Sequence, residues 1–245
     1  MGTDLLSIKS SRATKHIPAP QSINELYNRA LKLAGITVGE LADRLSIKLP
    51  SEMRQAKGKI GQLVEKCLGA QGGNEDEPDF PHLGVELKTI PIDHRGRVRE
   101  STFVCCMDFS GVDQEEWESS RLYRKLSCVL WIPVEVDSRR TLLQRRLGQP
   151  FLWRPTATQL ELLQSDWLSL MGKIALGKID EVSGYLGQVL QLRPKAPNRQ
   201  GLTMAPGAEG ERLSTIRRGF YLRAKYTEEI LGAIAAQSDV DHKRS

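Results

Sequence analysis

Pro78-Asp79, then six residues, then Glu86-Leu87-Lys88 is the arrangement in this chain with the clearest chemical content. Glu86 and Lys88 are two apart, so on a strand they project from one face. Asp79, on the preceding segment, can fold back beside them. Two converging carboxylates bind a hard divalent cation such as Mg2+ through oxygen. The cation polarises a phosphate and stabilises a leaving oxygen. An adjacent lysine orients the attacking water and meets the charge that develops on the phosphorane. The set suits phosphodiester hydrolysis. On a half-exposed strand the same Glu-x-Lys is a surface ion pair of little energetic weight, so its surroundings decide.

Those surroundings begin with the loop Asn74 to Asp79, which carries four acids in six residues beside Gly72-Gly73. Such a loop either holds a metal or is simply solvated. Upstream, Ser22 with Glu25 and Thr37 with Glu40 have capping-box spacing, which predicts helices to about Gly35 and Leu45. Ile60, Leu63, Val64, Cys67 and Leu68 recur at helical spacing, with Glu65 on or near the polar side. Downstream, Gly84 to Ile90 alternates, with Val85, Leu87 and Thr89 on one face and Glu86, Lys88 and Ile90 on the other. Thr102 to Met107 and Cys128 to Val136 read as central strands. A helix is expected over 158–176, a strand over Gln188 to Arg193, a short strand over Phe220 to Leu222 and a last helix over Glu228 to Ala236. Strands and helices mix without a regular βαβ period. The fold class is therefore α/β (mixed α+β), a central mixed sheet flanked by helices.

The 245 residues are 40% hydrophobic and 27% charged, enough to bury a core. The expected organisation is a polar tail over 1–20, one domain of two lobes over 21–237, and a polar end over 238–245. The most apolar run, Cys128 to Val136, is too short for a membrane span, and the N-terminus has no secretory h-region. No membrane association and a cytoplasmic location are expected. Cys67, Cys105, Cys106 and Cys128 contain no C-x-x-C and read as free thiols; the scattered histidines argue against zinc. The net charge of +5 is unevenly spread. Leu190 to Lys225 holds eight Lys or Arg against two Glu, a local +6, which leaves the rest at −1. A basic block on a near-neutral body fits either a polyanion partner or a solvated Arg-rich surface.

The acid-acid-lysine set is that of the PD-(D/E)xK nucleases, and longer blocks narrow the likeness. Asp79-Phe80 with Leu83 to Pro91 resembles the MutH family of mismatch-repair endonucleases. So do Lys57 to Gly61, Thr102 to Cys105, Lys125-Leu126 with Val129 to Glu135, Gln144-Arg145-Arg146, Arg193 to Ala196, and Arg218 to Leu222. The blocks stand in family order over about residues 21–235. The chain departs from the family pattern in its longer N-terminal tail, the vicinal Cys105-Cys106, and the polar end after Gln237.

The resemblance implies a restriction-endonuclease-like core whose two arms form a DNA-binding cleft. It implies a monomer that uses Mg2+ to nick the unmethylated strand of hemimethylated GATC sites. It also implies a MutL-like activator, with MutS acting indirectly. By motif, Asp79, Glu86 and Lys88 match the catalytic set, with Asp79 and Glu86 as metal ligands. Glu65 matches a further active-site glutamate, and Lys125 a lysine near the scissile phosphate. Arg193, Pro194 and Lys195 match the base-reading loop, where an arginine can bond guanine O6 and N7. Tyr221 matches the residue that senses adenine N6. Phe103 is a further base contact, and Lys57 and Gly58 a backbone contact. The basic segment 190–225 would supply affinity through phosphates, while the few base contacts specify. Two alternatives share these features: a GATC-specific restriction endonuclease that cuts both strands, and a catalytically idle DNA-binding protein.

Overall fold

Two hydrophobic clusters lie on opposite faces of a central mixed sheet in the computed structural model, which describes residues 17–49, 58–71, 76–195 and 201–242, with side chains as far as 233. In chain order the elements are helices α1 (Ile23–Leu31), α2 (Val38–Arg44) and α3 (Lys59–Leu68), then strands β1 (Glu86–Ile92) and β2 (Thr102–Cys106). Helix α4 (Arg121–Leu126), strands β3 (Val129–Glu135) and β4 (Phe151–Trp153) and helix α5 (Ala157–Ala175) follow. Strands β5 (Leu190–Pro194), β6 (Leu202–Pro206), β7 (Arg212–Ile216) and β8 (Arg218–Leu222) and helix α6 (Ala224–His242) complete the order. The tail before residue 17, Lys57, Gly72 to Glu75 and the loop after Lys195 lie outside the described residues.

The central sheet has the order β1-β3-β4, with β1 parallel and β4 antiparallel to β3. Strand β3 is buried from Val129 to Val134, and burial on both faces is why this segment reads as an unbroken apolar run. Its side chains divide by parity. Leu130, Ile132 and Val134 enter one cluster with Leu26, Leu41, Leu63 and Leu68 of the three N-terminal helices. Val129 and Trp131 enter the other, with Leu163, Trp167 and Leu170 of α5. Strand β1 obeys the same rule, with Leu87 in the first cluster and Ile90 in the second.

A second, antiparallel sheet of order β2-β8-β5 adds Val104, Leu190, Leu192, Phe220 and Leu222 to the α5 cluster. Strands β6 and β7 form a separate hairpin. Helix α3 is anchored by Leu63, Val64 and Leu68, each worth roughly 1.5–3 kcal/mol on burial. It ends at Gly69 (φ 82°), where a Cβ would stand 2.3 Å from Pro18 O, so a side chain is excluded on two grounds.

Several boundaries differ from expectation. Helix α1 stops at Leu31, and Glu25 caps the Gln21 N–H rather than that of Ser22, so only the Ser22 half of the box forms. Thr37 and Glu40 form the full box. Helix α6 starts four residues early, at Ala224. Helix α4, strand β4 and the β6–β7 hairpin were not expected from sequence. The hairpin exposes Leu202, Met204 and Leu213, so its apolar residues do not mark a buried face. All four cysteines are free. No helix among the described residues is long and apolar enough to cross a membrane.

Candidate active site and nucleic-acid interface

The parallel pairing of β1 with β3 places Glu86 opposite Val129 and Lys88 opposite Trp131. Glu86 is only 2% exposed, so the set is no surface ion pair. Each of its carboxylate oxygens meets a lysine. Lys88 Nζ donates to Oε1, and Lys125 Nζ, from α4, donates to Oε2 at 3.0 Å. Asp79 joins them through the backbone: its N–H donates to Glu86 Oε2 (3.3 Å), and its Oδ2 accepts the Leu87 N–H (2.8 Å). The end of the acidic loop is tied down by α4, because Arg121 pairs with Asp76 and Lys125 Nζ donates to Glu77 O at 2.7 Å. Lys125 therefore spans the loop and Glu86 from inside the protein.

Burial pushes the Asp79 carboxyl above the usual range, and the Glu86 charge pushes it further, against Lys88. Burial and Asp79 push Glu65 the same way. For Lys88, burial works against the ammonium form, but Glu86 and Asp79 outweigh it, and the net direction is upward. Carboxylates that resist ionising together are suited to a cation that relieves the repulsion. Asp79 and Glu86 are hard oxygen donors of the kind Mg2+ takes. Among the described residues no three carboxylate, imidazole or thiol groups cluster as a metal site. A cation held by this pair would complete its shell with waters, backbone oxygens or substrate, which is common for Mg2+.

Glu65, Lys88 and Thr89 line a cavity of about 950 Å³, which is also lined by Gly58, Phe103, Arg193, Pro194, Lys195 and Tyr221. The second sheet builds this wall by its period of two. In β5, Leu190 and Leu192 enter the core while Gln191 and Arg193 face away; in β8, Phe220 and Leu222 enter while Tyr221 faces away. Phe103 pairs with Tyr221 across β2–β8, with ring centroids 5.3 Å apart and edge-to-face. The Arg193 guanidinium lies 5.3 Å over Tyr221, and Lys195 Nζ 4.5 Å over Phe103. Lys195 Nζ also reaches Cys106 Sγ at 2.9 Å. Gly219 makes room for this cluster, since a Cβ there would stand 2.7 Å from Phe103 Cε2.

Sequence reasoning missed the groups that hold this wall. Asp166 of α5 is buried and accepts three backbone N–H groups, from Gln188, Val189 and Leu190 (2.9, 2.7 and 2.9 Å). Arg223 grips the carbonyls of the same loop, reaching Gly184, Tyr185, Leu186 and Gly187. Both look locally like ordinary polar residues. Arg145 also lines the cavity; the only prior signal was its place in the Gln144-Arg145-Arg146 block.

Known proteins resemble this chain over most of its length. The family model described as DNA mismatch repair enzyme MutH matches residues 68–166. The DNA mismatch repair protein MutH of Serratia proteamaculans (strain 568) is 45% identical over 214 residues, 87% of this chain and 94% of that protein. The proteins of the same name from Haemophilus influenzae (strain PittGG) and Vibrio cholerae (strain O395) are 45% and 46% identical, covering 87% of this chain and 96% and 97% of their own lengths. With nearly the whole of these relatives matched, the chain belongs to the MutH family.

Proposed function

We propose that this chain nicks duplex DNA at GATC, choosing the unmethylated strand of a hemimethylated site, with Mg2+ as its metal. As a member of the MutH family it is a DNA mismatch repair endonuclease, a hydrolase of the PD-(D/E)xK type. The observation that carries the finer reading is the single cavity lined both by Glu65 and Lys88 and by Arg193, Lys195 and Tyr221. Groups suited to cutting and groups suited to reading share one space.

Asp79 and Glu86 would hold the cation, which when bound would polarise the scissile phosphate and stabilise the leaving oxygen. Lys88, kept protonated by its two carboxylate neighbours, acts as a fixed positive charge on the phosphorane and orients the water. The water oxygen forms the new P–O bond as the old one breaks, and the departing oxygen takes up a proton. Glu65, whose carboxyl is pushed above the usual range by burial, lines the same cavity and is placed to take up the proton that the attacking water loses. Arg193 and Lys195 read base edges. Tyr221 rejects methylated adenine, because a methyl on N6 adds bulk and removes one N–H donor. Lys57, with Gly58, contacts the backbone.

In this reading the chain is one domain whose two arms form a cleft for DNA. The protein works as a cytoplasmic monomer, under a MutL-like activator recruited through MutS. The test is cleavage of a hemimethylated GATC duplex with each strand labelled separately, with and without Mg2+ and a MutL-like partner. Metal-dependent nicking confined to the unmethylated strand, stimulated by the partner, is expected. Cutting of both strands at limiting enzyme would point to a restriction endonuclease, and tight binding without cleavage to an idle DNA-binding protein.

A further inference from the structure

Arg145 follows the 3-10 turn Leu142–Gln144, and its backbone is pinned on both sides. Its N–H donates to Leu142 O (3.2 Å), and its carbonyl accepts the Val38 N–H (2.9 Å). The neighbouring Arg146 bridges to Thr37, and its guanidinium donates to Gly35 O at 2.6 Å, which commits it to the scaffold. Arg145 instead lines the cavity that holds Glu65, Lys88, Arg193 and Tyr221. It is 9% exposed, and its buried Nε has no hydrogen-bond partner.

A buried donor left unpaired has lost its hydration without a replacement, a penalty that is larger on a charged group. Glu100, on the same cavity wall, acts on Arg145 electrostatically, yet Nε is still without an acceptor. A ligand with two acceptor oxygens on one atom would satisfy Nε and its neighbouring nitrogen side-on, which is the geometry of a phosphate. The cavity favours an anion on other grounds. Cationic side chains on its wall (Lys88, Arg99, Arg145, Arg193, Lys195) outnumber the carboxylates Glu65 and Glu100. The start of the ten-residue helix α3, which has no side-chain cap, opens onto it at Gly58.

We propose that Arg145 is a DNA-binding residue whose guanidinium grips a backbone phosphate of the duplex in this cavity, adding affinity without base preference. The inference rests on the endonuclease reading above. It is tested by fluorescence anisotropy without divalent metal, using a hemimethylated GATC duplex and a GATC-free duplex of equal length, from about 50 to 200 mM salt. Arg145→Met should weaken binding to both duplexes by the same factor, roughly tenfold, and flatten the log–log salt slope by about 0.9. Arg145→Lys should keep the wild-type slope. An unchanged slope in a folded Arg145→Met protein, or a loss confined to GATC, overturns the proposal. If that variant does not fold, the Nε–Hε resonance of Arg145 in the wild-type protein decides, identified by its absence from the Arg145→Lys spectrum. It must move when duplex binds; a silent resonance on bound protein overturns the proposal. A wild-type protein that binds neither duplex removes the endonuclease reading, and this inference with it.

Discussion

Glu86 has a lysine on each carboxylate oxygen, and the two lysines differ in what else they face. Lys88 lines the cavity. Lys125 is 6% exposed, and its other partner is Glu77 O, inside the protein. Removing Lys88 therefore takes away a charge that faces the cavity, while removing Lys125 breaks a buried pair and frees the acidic loop. Lys88→Ala should lower nicking by about 10²–10³-fold or more and leave GATC-duplex affinity within a few-fold. Lys125→Ala should cost on the order of 3 kcal/mol of stability before any effect on chemistry is read. Nicking rates beside denaturant titrations separate them; retained metal-dependent cleavage in Lys88→Ala would sink its assignment. The convergence of Asp79, Glu86 and Lys88 was legible in sequence because the strand period is local. The second lysine on Glu86 was not legible from the residues alone, since Lys125 is 39 positions away on another element and only the family resemblance drew attention to it.

At the scale of elements, the cavity wall built by the second sheet depends on where β5 begins. Asp166 fixes three successive N–H groups at its start, and Arg223 holds the carbonyls just before it. Three residues on from Leu190, the strand delivers Arg193 beside Tyr221. Asp166→Ala leaves three N–H groups without their acceptor, two of those bonds being fully buried. A loss of at least ~3 kcal/mol is expected. Below the melting point, discrimination between GATC and GATC-free duplexes should fall about tenfold or more, with non-specific affinity nearly unchanged. Competition binding checks this, and an equal loss on both duplexes would contradict it. None of this was readable in advance. Asp166 sits next to Trp167 in a helix whose apolar stripe is plain, and a carboxylate there reads as solvated. The β5–β8 pairing spans an intervening hairpin, and which strands pair across that distance is set by core packing rather than by any local signal.

Over the whole molecule, β3 sends alternate side chains into two clusters, so neither can be lost without disturbing the strand that serves the other. The charge divides differently. The +6 segment supplies β5, the hairpin and β8, while the acidic set hangs on β1. On the proposed reading, gripping and cutting fall to different sheets, and their alignment depends on the two clusters staying packed against the strand they share. The tryptophans make this measurable. Trp117, Trp131, Trp153 and Trp167, all four in the chain, belong to the α5 cluster. Leu41, fully buried in α2, belongs to the other. Leu41→Ala should cost roughly 3 kcal/mol and lower the melting temperature by about 6–12 °C for a chain of this size. If residues 21–237 form one cooperative domain, tryptophan emission must shift by the same amount as far-UV circular dichroism, although the mutation lies in the cluster without tryptophan. An emission midpoint that stays at the wild-type value while helix signal melts early would make the two clusters separate folding units. The alignment of cutting and reading groups would then depend on DNA to bring them together.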